Sequence, residues 1–191
     1  GVQTCALPIL NKLNYNEEVI KGGLIISGVS ILMTMIIYII NIELMVEWWF
    51  SLISLLLSIG LVIFIGVSFR NASSGFMSYK EALKFTFLVL LIAYVVGAFF
   101  NIMLYNVIDP SLPEVIKELT VEKTIAMMES FGTPQEAIDN ALPEIEESII
   151  KNTTPTGIIK STPMGVLFMF LLALIASIFV KKNIPVSDRA N

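Results

Sequence analysis

Four long runs of apolar residues dominate the 191-residue chain, and short polar segments separate them. The runs contain no charged side chain, and they cover residues 24–42, 48–69, 85–108 and 161–180. A hydrocarbon core about 30 Å thick takes roughly 20 helical residues to cross, so each run can span a membrane. Backbone amides in lipid must bond within their own segment, which favours helices. The pattern therefore predicts an all-α bundle of four membrane-spanning helices.

Polar residues beside these runs indicate where the helices begin and end. Asn16 precedes two glutamates at the expected start of the first helix, and Ser78 and Glu81 have the spacing of a capping box. We predict that residues 10–183 form a single membrane domain and that residues 184–191 form a cytoplasmic tail. The predicted spans cover about residues 22–42, 48–69, 79–108 and 161–180.

The polar segment between spans three and four, residues 109–160, has a pattern of its own. Its apolar residues recur at three- and four-residue steps with glutamates between them, which is typical of amphipathic helices. Ser111 and Gly132 bound a first helix, and a second helix follows. Pro143 predicts a kink or a break in that second helix, and residues 152–157 are expected to be a linker. The segment therefore predicts an amphipathic helical hairpin.

The distribution of acidic and basic residues distinguishes the two ends of the predicted bundle. The hairpin carries ten acids against four lysines. The basic residues between spans two and three and after span four are Arg70, Lys80, Lys84, Lys181, Lys182 and Arg189. Because cytoplasmic loops of membrane proteins are enriched in Lys and Arg, we expect both termini in the cytoplasm and an extracytoplasmic hairpin.

Composition narrows the class of protein further. Hydrophobic residues make up 55 % of the chain and charged residues 15 %, against about 25 % charged residues in soluble domains. The chain has no histidine, and it has no EF-hand loop, phosphate-binding glycine loop or nucleophile elbow. An isoelectric point near 4.9 without a basic patch argues against nucleic-acid binding. We expect no enzyme activity, no cofactor and no metal.

The opening nine residues, GVQTCALPI, resemble the translation of a common sequencing-library adapter. They include Cys5, the only cysteine of the chain. We expect residues 1–9 to be a non-native segment and exclude them from the fold. The alternative is an ordinary cytoplasmic tail. In either case we assign no chemistry to Cys5.

Polar side chains recur at three- and four-residue steps on spans one and three. The candidates are Ser30, Thr34, Tyr38 and Asn41 on span one, and Tyr94, Asn101 and Tyr105 on span three. One interpretation is a polar groove for a lipid head group or a small solute. The other is hydrogen bonding between helices, worth about 0.6 kcal/mol per pair. No Asp, Glu, Lys or Arg lies inside a span, which argues against an ion-coupled transporter.

One segment of the chain resembles a known family. Residues 78–110, SYKEALKFTFLVLLIAYVVGAFFNIMLYNVIDP, resemble the central signature of a Bacteroidetes membrane family of unknown function, the DUF4199 type. The polar lead into span three, the Ile-Asp-Pro ending, the acidic insert and the Lys181-Lys182 ending all match. The resemblance covers about residues 12–183. It implies a multi-pass protein of the bacterial inner membrane and supplies no catalytic residues.

Two functions fit these observations. The first is a non-enzymatic interaction or assembly protein that presents its acidic hairpin to a membrane or envelope protein partner, or to a second copy of the chain. The alternative is a passive binder or conduit for a lipid or small solute that uses the polar stripes on spans one and three. An enzyme ranks third, because glutamates and aspartates alone would have to perform the chemistry.

Overall fold

The structure, a computed structural model, describes residues 14–73 and 75–183. The predicted non-native segment 1–9 and the predicted tail 184–191 lie outside the described residues. The α-helices in the described part are α1 (Tyr15–Ile40), α2 (Trp48–Ala72), α3 (Tyr79–Met103), α4 (Leu112–Ser130), α5 (Gln135–Thr153) and α6 (Pro155–Val180). A 3₁₀ helix, Ile42–Val46, joins α1 to α2, and a π-helical turn, Leu104–Ile108, extends α3.

Four of these helices are long and apolar enough to cross a membrane: α1, α2, α3 with its π turn, and α6. The remaining two, α4 and α5, form an antiparallel hairpin whose turn contains Gly132 at a φ of 73°. That left-handed conformation suits glycine, which has no Cβ to clash with the next carbonyl. The predicted all-α four-span bundle with a helical hairpin between spans three and four is confirmed.

The starts of α3 and α1 show one confirmed and one incorrect prediction. The predicted capping box is present, because the Ser78 amide donates to Glu81 Oε2 at 2.8 Å and the Glu81 amide donates to Ser78 Oγ at 3.4 Å. The prediction for Asn16 is wrong, since α1 begins at Tyr15 and Asn16 already lies inside the helix. Asn16 is therefore the second residue of α1 and not the residue that caps it.

Helix α3 is the centre of the bundle, because it packs against both α1 and α6. Phe85, Val89 and Leu90 on α3 are buried among side chains from the other three spans. At Gly23 the backbone of α1 comes so close to α3 that a Cβ atom would lie 2.6 Å from Ile92 Cβ. Small residues allow this approach, and the resulting van der Waals contact holds helices together in lipid.

One end of the bundle is tightly closed, and we call it the basic end: residues 70–84 and Lys181-Lys182. Two backbone hydrogen bonds of 2.9 Å join Met77 and Lys182. Arg70 Nη1 donates to the Val180 carbonyl at 2.7 Å, which satisfies an unpaired carbonyl at the end of α6. The loop between spans two and three is therefore joined directly to the chain that leaves span four.

The opposite end, which we call the acidic end, consists of the 3₁₀ helix, Asp109 and the hairpin α4–α5. Helix α5 continues through Pro143 without a break, so the prediction of two short helices is wrong. Pro143 is exposed, and water can therefore bond the carbonyl that proline leaves without a backbone donor.

The predicted linker 152–157 needs correction, and the helix that contains the fourth apolar run begins before residue 161. A single residue, Thr154, separates α5 from α6, and its hydroxyl accepts the Gly157 amide at 3.1 Å. Pro155 follows at the first helical position, where its missing N–H costs nothing. The turn is so sharp that a Cβ atom on Gly157 would overlap the Lys151 carbonyl oxygen. The turn between α5 and α6 is thus formed at Thr154.

Candidate functional site

A partly open cavity of about 270 Å³ lies between all four membrane-spanning helices, on the acidic-end side of the buried Val62, and its lining residues Ser30 and Ser51 are exposed. Each of the four spans contributes to its wall, so only the folded bundle forms it. The lining residues are Ile26 and Ser30 from α1; Ser51, Ser54, Leu55 and Ser58 from α2; Leu90, Ala93 and Tyr94 from α3; and Met169 and Leu172 from α6.

The polar groups of the cavity are hydroxyls. Within the described residues, the side chains of Ser30, Ser51 and Tyr94 have no hydrogen-bond partner. Ser58 Oγ donates to the Ser54 carbonyl at 2.8 Å, and Ser54 Oγ lies 3.9 Å from the sulfur of Met33. Three hydroxyls are therefore left to bond a guest molecule, because a hydroxyl in an apolar environment gains from a partner.

The cavity lining contains no acidic or basic side chain, and its remaining surface is aliphatic or thioether. Moving an ion into such an environment without a counter-charge costs far more than moving a neutral molecule. Among the described residues there is also no cluster of three or more His, Cys, Asp or Glu side chains that could hold a metal ion. The chemistry of the lining favours an uncharged, largely apolar guest.

Two surface grooves adjoin the cavity near Phe168 of α6. The first shares Ser51 and Leu55 with the cavity and reaches Trp48 at the start of α2. The second shares Tyr94 and runs along α6 past Gly165. The Tyr94 ring lies so close to α6 that a Cβ atom on Gly165 would overlap it. The grooves thus lie directly beside the cavity and share part of its lining.

The structure places the predicted site residues of span one in different environments. Ser30 lines the cavity, whereas the Thr34 hydroxyl donates to the Ser30 carbonyl at 3.0 Å on its own helix. Tyr38 bonds Asp109 at 2.9 Å, and the Asn41 side chain accepts the amide of Glu43 at the start of the 3₁₀ helix. The stripe of span one is therefore divided between the cavity and the acidic end.

On span three, Tyr94 lines the cavity, while Asn101 and Tyr105 lie two and three turns further along α3 toward Asp109. Of the seven predicted residues, Ser30 and Tyr94 are the two that meet at the cavity. The structure does not gather the seven into one groove.

Sequence reasoning missed a third polar stripe, on α2. Ser51, Ser54 and Ser58 recur at steps of three and four residues, which places them on one helix face. All three line the cavity. The spacing that singled out spans one and three could have found this stripe, and it supplies most of the cavity's hydroxyls.

Asp109 joins three elements at the acidic end. Its Oδ1 accepts the Ser111 hydroxyl at 2.5 Å and the amides of Ser111 and Leu112 at 3.1 and 3.2 Å. Its Oδ2 accepts the Tyr38 hydroxyl at 2.9 Å. The bonds from the hydroxyls of Ser111 and Tyr38 hold the pKa of the Asp109 carboxyl below its usual value. Asp109, and not Ser111 as predicted, is the residue whose side chain caps α4.

A second link fixes α4 further along its length. Lys123 Nζ lies 2.7 Å from Oε1 of Glu47, the residue immediately before α2. The hydrogen bond and the negative charge of Glu47 raise the pKa of Lys123. The hairpin is thus attached to α1 through Tyr38 and to α2 through Glu47.

Comparisons with known proteins identify a family and no closer relative. A family model described as "Protein of unknown function (DUF4199)" matches residues 21–182, which include nearly all of the four spans and the whole hairpin. No curated protein and no solved structure matches the chain. The comparisons therefore supply no ligand or reaction for the cavity.

Proposed function

Since the chain belongs to the DUF4199 family, a match that extends over most of its length, we propose a function from the bundle itself: the protein binds an uncharged, largely apolar molecule in its intramembrane cavity. The single observation that carries this proposal is the 270 Å³ cavity, with its hydroxyls and its lack of charged side chains. Binding is proposed to be non-enzymatic, with no resident cofactor.

The size of the cavity supports a guest larger than water. An apolar cavity of about 150 Å³ in another protein binds benzene, and this one is nearly twice as large. A segment of lipid chain with a carbonyl or hydroxyl group fits both the aliphatic wall and the free hydroxyls of Ser30 and Tyr94. The grooves beside Phe168 offer such a molecule a path from the bilayer.

Filling the cavity tests this proposal. Ser54→Leu places an aliphatic side chain in the cavity, and Ser68→Leu makes the same change at an exposed position of the same helix. The probe is a phospholipid with a photoactivatable diazirine on its acyl chain, added to protein in nanodiscs. We expect Ser54→Leu to abolish specific labelling of cavity residues and Ser68→Leu to retain it. Equal labelling of both variants would contradict the proposal.

We further propose that the protein resides in a bacterial inner membrane with both termini in the cytoplasm. The charge difference between the basic end and the acidic end supports this orientation, because positively charged loops are retained in the cytoplasm. A reporter fused after Lys182 should be active in the cytoplasm, and trypsin added outside sealed cells should cut at Lys151, an exposed residue of the hairpin. The opposite pattern would reverse the orientation.

A second candidate function, assembly with a membrane or envelope protein, rests on the acidic face of α4. Glu114, Glu118 and Glu129 are all exposed on this helix, and they would complement a basic partner surface. Deleting residues 111–151 and comparing crosslinked partners tests this candidate. We expect the partner set to change, and an unchanged set would count against it. A second copy of the chain is the other partner that crosslinking would reveal.

A further inference from the structure

Helix α4 lies across the acidic end of the bundle instead of standing away from it. Just before the helix begins, Asp109 is bonded to Tyr38 of α1. Near the middle of the helix, Lys123 is bonded to Glu47 at the start of α2. Because the two ties join α4 to two different spans, the helix lies across the end of the bundle.

One face of α4 changes from buried to exposed along the helix. Residues four positions apart share a helix face, so Met127 projects from the same face as Lys123, the side chain that reaches Glu47. Leu112 near the start of this face is 0 % exposed, whereas Met127 is 55 % and Phe131 81 % exposed. The face that covers the bundle thus continues past the rim of the bundle with apolar side chains uncovered.

The opposite face of α4 is acidic. Glu114, Glu118 and Glu129 project about half a turn away from Lys123, at 100° per residue, and all three are exposed. Carboxylates on the outer side stay hydrated, so this face is expected to be directed toward water and the apolar side chains toward the bundle and the lipid beside it.

The level of the bilayer surface is marked by Trp48. Its indole is 74 % exposed at the start of α2, and Trp side chains favour the boundary between lipid and water. Lys123 contacts the residue directly before it, Glu47. The part of α4 beyond Lys123 reaches about 10 Å further to Ser130, and Phe131 follows it directly. This segment therefore extends over lipid at the level of this indole.

We propose that the tip of the hairpin, residues 127–133, inserts Met127 and Phe131 into the interfacial region of the bilayer beside Trp48. The partner is the lipid surface itself. The tip then anchors the hairpin on the membrane and holds the acidic face toward water, independently of any guest in the cavity. The proposed position of the hairpin depends only on residues of the acidic end. It is the same whichever side of the membrane that end faces.

Spin labels at defined positions test the proposal in the full-length protein. In a Cys5→Ser background, Phe131→Cys and Met127→Cys carry labels on the proposed lipid face, and Glu118→Cys and Glu129→Cys carry matched labels on the opposite face. Each variant is reconstituted into vesicles of phosphatidylethanolamine and phosphatidylglycerol. We expect labels at 127 and 131 to be relaxed more by oxygen than by a water-soluble nickel chelate. Labels at 118 and 129 should show the reverse.

Two outcomes would overturn the proposal. A nickel chelate that reaches label 131 as readily as label 129 would place the tip in water. Dipolar broadening at label 131 that disappears on dilution with unlabelled protein would show that a second copy covers the tip. Met127→Cys repeats the test at a second exposed site, and helicity measured by circular dichroism identifies any variant that fails to fold.

Discussion

The two ends of the bundle are built by different means. At the basic end, backbone and side-chain hydrogen bonds join the span-two-to-three loop to the chain after span four, and Val180 and Gly66 are in close contact. At the acidic end, the spans leave a 270 Å³ cavity between them, and a hairpin covers the end. The spans are thus joined by direct contacts at the basic end, whereas open space remains between them toward the acidic end.

Helix α2 shows this difference within one element. Val62 is 0 % exposed, and at Gly66 a Cβ atom would lie 2.7 Å from Val180 Cγ2. One to three turns closer to Trp48, the serines of the same helix line the cavity. The same helix is therefore packed against its neighbours at one level and separated from them at another. Close packing of this kind is a main source of helix association in lipid.

The largest predicted effect comes from breaking the close contact at the basic end. Gly66→Leu forces a side chain into the space that Val180 occupies, and we expect a loss of about 3 kcal/mol in unfolding free energy. Gly60→Leu is the matched control on α2, since a Cβ atom there meets nothing within 4 Å. Unfolding in mixed micelles measures both. Equal losses in the two variants would mean that the close contact is not specific.

Removing the arginine that closes the basic end should have a smaller effect. Arg70→Met leaves the Val180 carbonyl without its 2.7 Å hydrogen bond, and we expect a loss of about 1.5 kcal/mol. Lys80→Met is the control, because Lys80 is exposed and has no hydrogen bond or ion pair among the described residues. The same unfolding assay applies. A loss no greater than that of the control would show that the hydrogen bond from Arg70 does not stabilise the basic end.

At the acidic end, a lower pH protonates Asp109, and we expect a smaller effect on stability than from the substitutions at the basic end. The folded pKa of Asp109 lies below its usual value near 3.8, so the charged form stabilises the fold above that value. This stabilisation is lost as the pH falls through the lowered pKa. We expect the protection factors of amides at the start of α4, corrected for the pH dependence of intrinsic exchange, to fall below about pH 4 in the wild-type chain. Asp109→Asn should remove that pH dependence, and an identical profile in both chains would refute the role of the carboxylate.

The smallest effect is expected for the ion pair that fixes α4 above α2. Lys123 and Glu47 are partly exposed, with side-chain exposures of 47 % and 24 %, so solvent screens their attraction. We expect Lys123→Met to cost about 0.5 kcal/mol. A double-mutant cycle with Glu47→Gln isolates the pair. A coupling energy of several kcal/mol would show instead that the acidic end is as tightly closed as the basic end.

The fold was largely predictable because its strongest signals are local. Membrane-spanning helices are recognised from the length of an apolar run, and the capping box at Ser78 is read from residues three positions apart. The errors are also local. Pro143 did not break α5, and the cap at Thr154 with Pro155 started α6 earlier than its apolar run suggested.

The cavity was not predictable, because it depends on how four helices pack. Ser54 on α2 and Tyr94 on α3 line one cavity although 40 positions separate them in the chain. The bond from Tyr38 to Asp109 likewise joins residues 71 positions apart. A periodic stripe identifies the polar face of a helix, but it does not say whether another side chain, a lipid or a void lies opposite that face.

The most direct test of the difference between the two ends is thiol accessibility along α2. In a Cys5→Ser background, Ser54→Cys, Ser58→Cys and Val62→Cys report three successive turns of the helix, and a small uncharged maleimide is the probe. We expect reaction at 54 and 58 and protection at 62. Protection at all three positions, or reaction at 62 as fast as at 54, would contradict a bundle that is hollow toward the acidic end and closed toward the basic end.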